Sequence, residues 1–177
     1  VMTIFIMTRY RRCPSNKVLV VYGNLGGGQT ARCLHGGGTM VWPIIQDYAY
    51  LSLEPILVEV ELPQALTRQN DRVNVRATLT VAISTQPDIL QRAAERLLGL
   101  SEADIALTAR EIITTQFRLV VATSSVDEIH QEPERLLELI TKNVGYELNQ
   151  IGLSVINVNI RDMTYGAGAR PGQVPIQ

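Results

Sequence analysis

One glycine-rich segment and one short segment around a serine contain the residues whose types and spacing could support catalysis. His35-Gly-Gly-Gly38 could form an oxyanion hole, in which backbone N–H groups stabilise a developing negative charge. Gly99-Leu-Ser-Glu-Ala103 is a partial nucleophile elbow of the esterase type, with alanine in place of the last glycine. Its serine, Ser101, lies where a helix should begin, whereas a catalytic serine of this type follows a strand. An esterase is therefore a distant alternative, and we predict a protein that is not an enzyme.

The other reactive residue types do not form a recognisable site. His35 and His130 lie 95 positions apart, and neither has a second histidine or a cysteine at helical spacing. Cys13 and Cys33 lack the paired spacing of a zinc site, and two cysteines cannot make a disulfide framework. Gly26-Gly-Gly28 lacks the lysine of a phosphate-binding loop. The sequence therefore predicts no metal and no cofactor.

The composition favours a folded domain and excludes one class of function. Apolar residues make up 46% of the 177 residues and charged residues 19%, as in globular proteins. A nucleic-acid-binding domain usually has a pI above about 9. This chain has a formal net charge of −1 and a pI near 6.2. We therefore expect no nucleic-acid partner.

Positive charge is concentrated in the N-terminal segment. Residues 1–17 contain four basic residues and no acidic residue, and the remaining 12 basic and 17 acidic residues give the rest of the chain a net charge of −5. An apolar run, Val1–Met7, precedes the cations, as at the cytoplasmic end of a membrane segment. Seven helical residues extend only about 10 Å, which is too short to cross a bilayer. The alternative is a buried strand followed by a solvated basic turn.

We predict that residues 1–16 form a membrane-proximal segment. Its apolar side chains would contact lipid and its arginines would pair with anionic headgroups; the residues are Ile4, Phe5, Ile6, Met7, Arg9, Arg11 and Arg12. A second apolar run follows a triple glycine and could dip into the acyl boundary; its predicted contact residues are Met40, Val41, Trp42, Ile44 and Ile45. A buried plug in a β-rich core explains this second run equally well.

The hydrophobic pattern predicts an α+β fold. Residues 17–86 are rich in β-branched runs, and Ile56–Leu62 and Val73–Ile83 alternate as an antiparallel hairpin. Residues 87–162 change to the helical period and end with a strand over Leu153–Arg161. The predicted helix-start signals are Pro87, Ser101 with Asp104, Ser124-Ser125 and Pro133. Strands followed by helices and one returning strand are typical of α+β rather than doubly wound proteins.

Several segments in their order along the chain resemble bacterial flotillins, in the SPFH (band 7, prohibitin-homology) superfamily. The segments are Arg9–Gly23, Cys33–Gln46, Ala93–Leu100, Val126–Ile129 and Gln150–Asp162. The resemblance covers roughly residues 9–162, and its ordered spacing is more specific than any single motif in the chain. It implies a β-rich N-terminal subdomain joined to a helix-containing α+β subdomain, in agreement with the change of period.

The resemblance also implies a function. Members of this family are non-enzymatic, membrane-associated scaffolds that organise membrane microdomains as oligomers. We therefore expect anionic lipids and flotillin-type subunits, in homo- or hetero-oligomers, as partners on the cytoplasmic side of the cell membrane. The alternative is an SPFH adaptor module that regulates a membrane protease or another membrane enzyme. Residues 163–177 depart from the family pattern, because they are rich in Gly and Pro and lack coiled-coil heptads, so they predict a flexible tail.

Overall fold

The computed structural model describes residue 4 and residues 10–23, 31–41 and 45–165. Within these ranges the chain forms, in order, β1 (Tyr10–Arg12), β2 (Lys17–Gly23), β3 (Ala31–His35), β4 (Gly38–Met40), β5 (Gln46–Ser52), β6 (Ile56–Leu66), β7 (Arg72–Ile83), α1 (Pro87–Leu97), α2 (Glu102–Thr123), α3 (Val126–Gln131), α4 (Pro133–Gln150) and β8 (Leu153–Tyr165). Strands come first, helices follow and a strand returns, which confirms the predicted α+β class.

The N-terminal sheet has the order β3-β2-β5, with antiparallel pairing throughout. Its central strand is buried at four successive positions, Val18–Val21, so both of its faces are covered. Val18 and Val20 belong to the main hydrophobic core, whereas Leu19 and Val21 belong to a smaller cluster. Because successive side chains of a strand point to opposite faces, this sheet separates two packing layers.

The second sheet has the order β6-β7-β8. β6 and β7 form the predicted antiparallel hairpin, with Val58 opposite Leu79 and Val60 opposite Ala77. β8 pairs antiparallel with the other side of β7. The strands of residues 17–86 therefore share a sheet with a strand of residues 87–162, so strand pairing crosses the predicted subdomain boundary at residue 86.

β8 is longer and less regular than the alternating pattern predicts. It continues to Tyr165, and Met163 pairs with Val75, so the first three residues of the predicted tail lie in the sheet. The other residues of that tail lie outside the described residues. A register shift in the pairing with β7 occurs at Ile156 and interrupts the alternation of side chains. Ile156 is therefore exposed, while Val158, two residues later, packs against the main core.

The helices begin at the predicted signals. α1 and α4 each have a proline in the first turn. At the start of α2, the N–H of Asp104 donates to Ser101 Oγ at 3.2 Å, and the N–H of Ser101 donates to the Asp104 carboxylate at 3.3 Å. Ser125 and Glu128 form the same capping box at the start of α3.

Gly152 joins α4 to β8 where the chain has no room for a side chain. Its φ is +93°, and a Cβ at this position would overlap the backbone of Ala93 in α1. Its carbonyl oxygen accepts a hydrogen bond of 3.1 Å from the N–H of Ser84. α1, the end of β7 and the start of β8 therefore meet at this glycine.

Candidate lipid-contact surface

β1 and β4 form a two-stranded antiparallel ribbon. Tyr10 lies opposite Met40, and Arg12 lies opposite Gly38. Directly opposed residues of neighbouring strands project to the same side, and residues two apart in a strand share that side. These four residues therefore form one side of the ribbon, which we call the outer face. The opposite side, the inner face, carries Arg11 and Thr39.

The inner face packs against the sheet β3-β2-β5. Cys13 and Val41, which directly follow β1 and β4, are buried in one cluster with Leu19 and Val21 of β2. The Cys13 thiol lies 3.0 Å from the carbonyl oxygen of Lys17, to which it donates. This small core, on the side of β2 opposite the main core, holds the ribbon on the sheet.

Arg11 adds an aromatic contact between the ribbon and the sheet. Its guanidinium carbon lies 4.9 Å from the centroid of the Tyr48 ring. Tyr48 meets Tyr50 edge-on, with 5.8 Å between the ring centroids. The Tyr50 hydroxyl donates to the backbone carbonyl of Arg12 at 3.3 Å. A cation over an aromatic face is attracted by the ring quadrupole, so Arg11 is held against β5 although it is exposed.

The described residues of the predicted lipid-contact set lie in different environments. Arg12 is exposed, and Met40 and Ile45 are 45% and 53% exposed. Ile4 is 70% exposed. Val41 is only 6% exposed, because strand alternation turns it inward next to Met40. Val41 is therefore a core residue and does not belong to the candidate surface.

The rest of the predicted set lies outside the described residues; it comprises Phe5, Ile6, Met7, Arg9, Trp42 and Ile44. Their contact with lipid stays a prediction. Among the helices that the structure describes, none combines the length and the hydropathy needed to cross a bilayer.

Tyr10 belongs to the outer face, although it is not among the residues predicted to contact lipid. It is 49% exposed and pairs across the ribbon with Met40. A Cβ on Gly38 would overlap the Tyr10 ring, so the ring lies across this glycine. The spacing of Tyr10 and Arg12 could have placed both on one side of a strand. Their pairing with β4 was not visible in the sequence.

The motifs that suggested an esterase have structural roles. The Ser101 hydroxyl donates to the Asp104 carboxylate at 2.6 Å while it caps α2. Gly36 and Gly37 have φ values of +76° and +79° in the turn between β3 and β4, a region that favours glycine. In the part of the chain that the structure describes, no group of three or more His, Cys, Asp or Glu side chains could hold a metal ion.

Local structure also explains the shifted pKa values of Cys33 and Glu128. Burial, followed by the nearby Glu95 carboxylate, raises the pKa of the Cys33 thiol. A protonated thiol is a weak nucleophile. The N–H of Ser125 donates to the Glu128 carboxylate at 3.0 Å and is the main cause that lowers the pKa of Glu128. Cys33 therefore lacks the low pKa of a reactive cysteine, and Glu128 serves a helix cap.

Comparisons with known proteins agree with the fold. The family model described as SPFH domain / Band 7 family matches residues 11–171. The chain is 29% identical over 169 residues to Flotillin-like protein FloT of Bacillus subtilis. This match covers 90% of the present chain and 33% of FloT. The chain is 24% identical over 148 residues to Flotillin-2 of Bos taurus, with 84% and 35% covered. It is 28% identical over 152 residues to Flotillin-1 of Drosophila melanogaster, with 85% and 35% covered. The chain spans about a third of the length of these relatives.

Proposed function

Because the chain belongs to the SPFH domain / Band 7 family, we propose that it is a non-enzymatic scaffold domain that acts at a membrane surface, as part of a flotillin-type protein. One observation carries the proposal: the outer face of the ribbon presents exposed apolar side chains beside an exposed arginine. The similarity to flotillins over most of the chain supports the scaffold role.

The chemistry of the outer face suits an anionic bilayer. Each basic residue near such a surface contributes about 1 kcal/mol, and an apolar side chain beside it can enter the headgroup region. Tyr10, Met40 and Arg12 supply both kinds of group. Anionic lipids are concentrated in the cytoplasmic leaflet, so we place the domain on the cytoplasmic side of the cell membrane.

A contact face with so few side chains binds a bilayer weakly in a single copy. Linked copies bind far more tightly than one, because the second contact becomes intramolecular. We therefore propose that the protein forms homo-oligomers or hetero-oligomers with other flotillin-type subunits, and that these assemblies gather lipids into microdomains.

Flotation of the full chain with vesicles tests this proposal. Vesicles of phosphatidylcholine with phosphatidylserine should carry the protein to the top of a density gradient, and pure phosphatidylcholine vesicles should carry much less. Arg12→Gln should reduce flotation. Arg118→Gln removes the same charge from an exposed position on α2 and is the matched control. If the wild-type chain stays at the bottom with both kinds of vesicle, the proposed function is wrong.

An adaptor that regulates a membrane protease is the second candidate, and exposed apolar residues on α4 favour it. Leu139 and Tyr146 are 43% and 65% exposed and lie seven residues apart on this helix. Residues at this spacing share a helix face. A pull-down in detergent distinguishes the two candidates. A stoichiometric membrane enzyme that is lost from the Tyr146→Ser variant would replace the scaffold proposal.

A further inference from the structure

We infer that the two adjacent arginines of β1 have different tasks in the proposed lipid contact. Arg11 is a positioning residue that fixes the ribbon on the sheet, and Tyr10, Arg12 and Met40 contact an anionic bilayer. This inference rests on the proposed function and specifies which groups carry it.

Strand alternation separates the two arginines. The residues that follow the ribbon on its inner side, Cys13 and Val41, are both buried against β2. Arg11 is two residues from Cys13 and therefore shares the inner side. Arg12 lies between them in sequence and projects to the outer face, opposite Gly38.

The contacts of Arg11 hold its side chain against the sheet. Its guanidinium lies over the Tyr48 ring at 4.9 Å, and that ring is packed edge-on against Tyr50. Tyr50 in turn donates a hydrogen bond to the backbone of Arg12. The three side chains thus link β5 to two successive residues of β1, which orients the next side chain, Arg12, away from the sheet.

Tyr10 is oriented by the opposite strand. Its ring lies across Gly38, where any Cβ would collide with it and would come within 2.9 Å of the Arg11 carbonyl oxygen. An aromatic ring that rests on a glycine of a neighbouring strand is held in a defined position. Tyrosine has an apolar body and a polar tip, which suits the level of the lipid headgroups. Met40 lies beside it on the same face.

Charge complementarity identifies the occupant of this face as an anionic lipid surface. Residues 1–17 contain four cations and no acidic residue, while the rest of the chain has a net charge of −5. A bilayer that contains phosphatidylserine presents a broad negative surface, and an exposed outer face with one cation and two amphipathic or apolar side chains matches it.

Vesicle binding by full-length variants tests the assignment. Partition onto phosphatidylserine-containing vesicles should fall about five-fold in Arg12→Gln, which corresponds to the 1 kcal/mol of one basic residue. Tyr10→Ser and Met40→Ser should each weaken binding as well. Arg118→Gln on α2 controls for the loss of one charge and should leave binding nearly unchanged.

The positioning role of Arg11 makes a separate prediction. Tyr48→Leu, which changes no charge, should weaken binding as much as Arg11→Gln, and the double variant should bind no more weakly than either single variant. Arg11→Lys should restore binding, because an ammonium group can also lie over the ring. Without lipid, Arg11→Gln and Tyr48→Leu should both speed amide hydrogen exchange in residues 10–12 and 38–40.

The outcomes separate this inference from the proposed function. If Arg11→Gln weakens binding while Tyr48→Leu does not, Arg11 contacts lipid directly and the positioning role is wrong. If amide exchange in the ribbon is unchanged in both variants, the positioning role is also overturned, whatever the vesicles show. If the wild type binds but Tyr10→Ser, Arg12→Gln and Met40→Ser bind equally well, only the assigned contact face is wrong. If the wild type does not bind, the contact assignment falls together with the proposed function.

Discussion

Replacing Gly152 with alanine should destabilise the fold strongly. The residue has a φ of +93°, and an added Cβ would overlap the backbone of Ala93 in α1. Ala93 is fully buried, and α1 is fixed in the core on both sides of it by Leu90 and Leu97. A flexible side chain could move aside, but a helix backbone held in this way cannot.

The size of the effect follows from two separate costs. A left-handed backbone costs an L-residue about 1–2 kcal/mol. Overpacking of a filled site costs about 1–3 kcal/mol. The free energy of unfolding should therefore fall by about 2–5 kcal/mol, out of the roughly 5–15 kcal/mol of a typical domain. At about 2–4 °C for each kcal/mol in a chain of this size, Tm should fall by roughly 4–20 °C.

Gly145 provides the matched control for this substitution. It lies inside α4, and a Cβ there would meet no atom within 4 Å. Alanine is favoured over glycine in a helix by about 1 kcal/mol, so Gly145→Ala should raise the free energy of unfolding. Urea unfolding followed by circular dichroism measures both variants, with an unchanged m-value as the sign of a two-state comparison. A Gly152→Ala variant within about 0.5 kcal/mol of the wild type would refute the argument, since that is the range of ordinary surface substitutions.

Three further predictions follow from buried and titrating groups. Val41→Ser should lower the free energy of unfolding by about 1–3 kcal/mol in a urea titration, because the substitution buries a hydroxyl in the small core. Met40→Ser, at the exposed neighbouring position, is the control and should leave the free energy of unfolding unchanged. The pKa of Glu128 is lowered in the folded state, so the ionised carboxylate stabilises the fold fully above about pH 4.3. This stabilisation is lost as the pH falls through the lower folded pKa. Glu128→Gln should therefore flatten this part of the curve of unfolding free energy against pH. The pKa of Cys33 is raised by burial, so a thiol reagent at pH 8 should react more slowly with Cys33 than it reacts with free glutathione. Equal reaction rates for the two thiols would contradict this prediction.

Local patterns in the sequence predicted much of the fold. The capping pairs at Ser101 and Ser125 depend on residues three positions apart, and the hairpin of β6 and β7 depends on alternation across one turn. Signals of this kind are contained in a short stretch of chain. The flotillin resemblance supplied the family, which the match over residues 11–171 confirms.

Long-range pairing was the part that the sequence could not reveal. The side chain of Val41 was predicted to contact lipid, but it is buried because β4 pairs with β1 and turns it toward β2. Tyr10 joins the candidate surface through the same pairing. The membership of β8 in the sheet of β6 and β7 likewise depends on residues far apart in sequence. Apolar residues alone predict burial or lipid contact equally well, and only the partner strand decides between them.

The position of β7 between β6 and β8 also constrains how the protein can fold during synthesis. β7 has its first neighbour as soon as the local hairpin forms, but its second neighbour is translated only after all four described helices. Until then one side of this 12-residue strand has unpaired N–H and C=O groups, which favour association between nascent chains. A chain that ends before Leu153 would retain this exposed edge permanently. Light scattering should therefore detect aggregation of such a truncated chain at concentrations where the full chain stays clear.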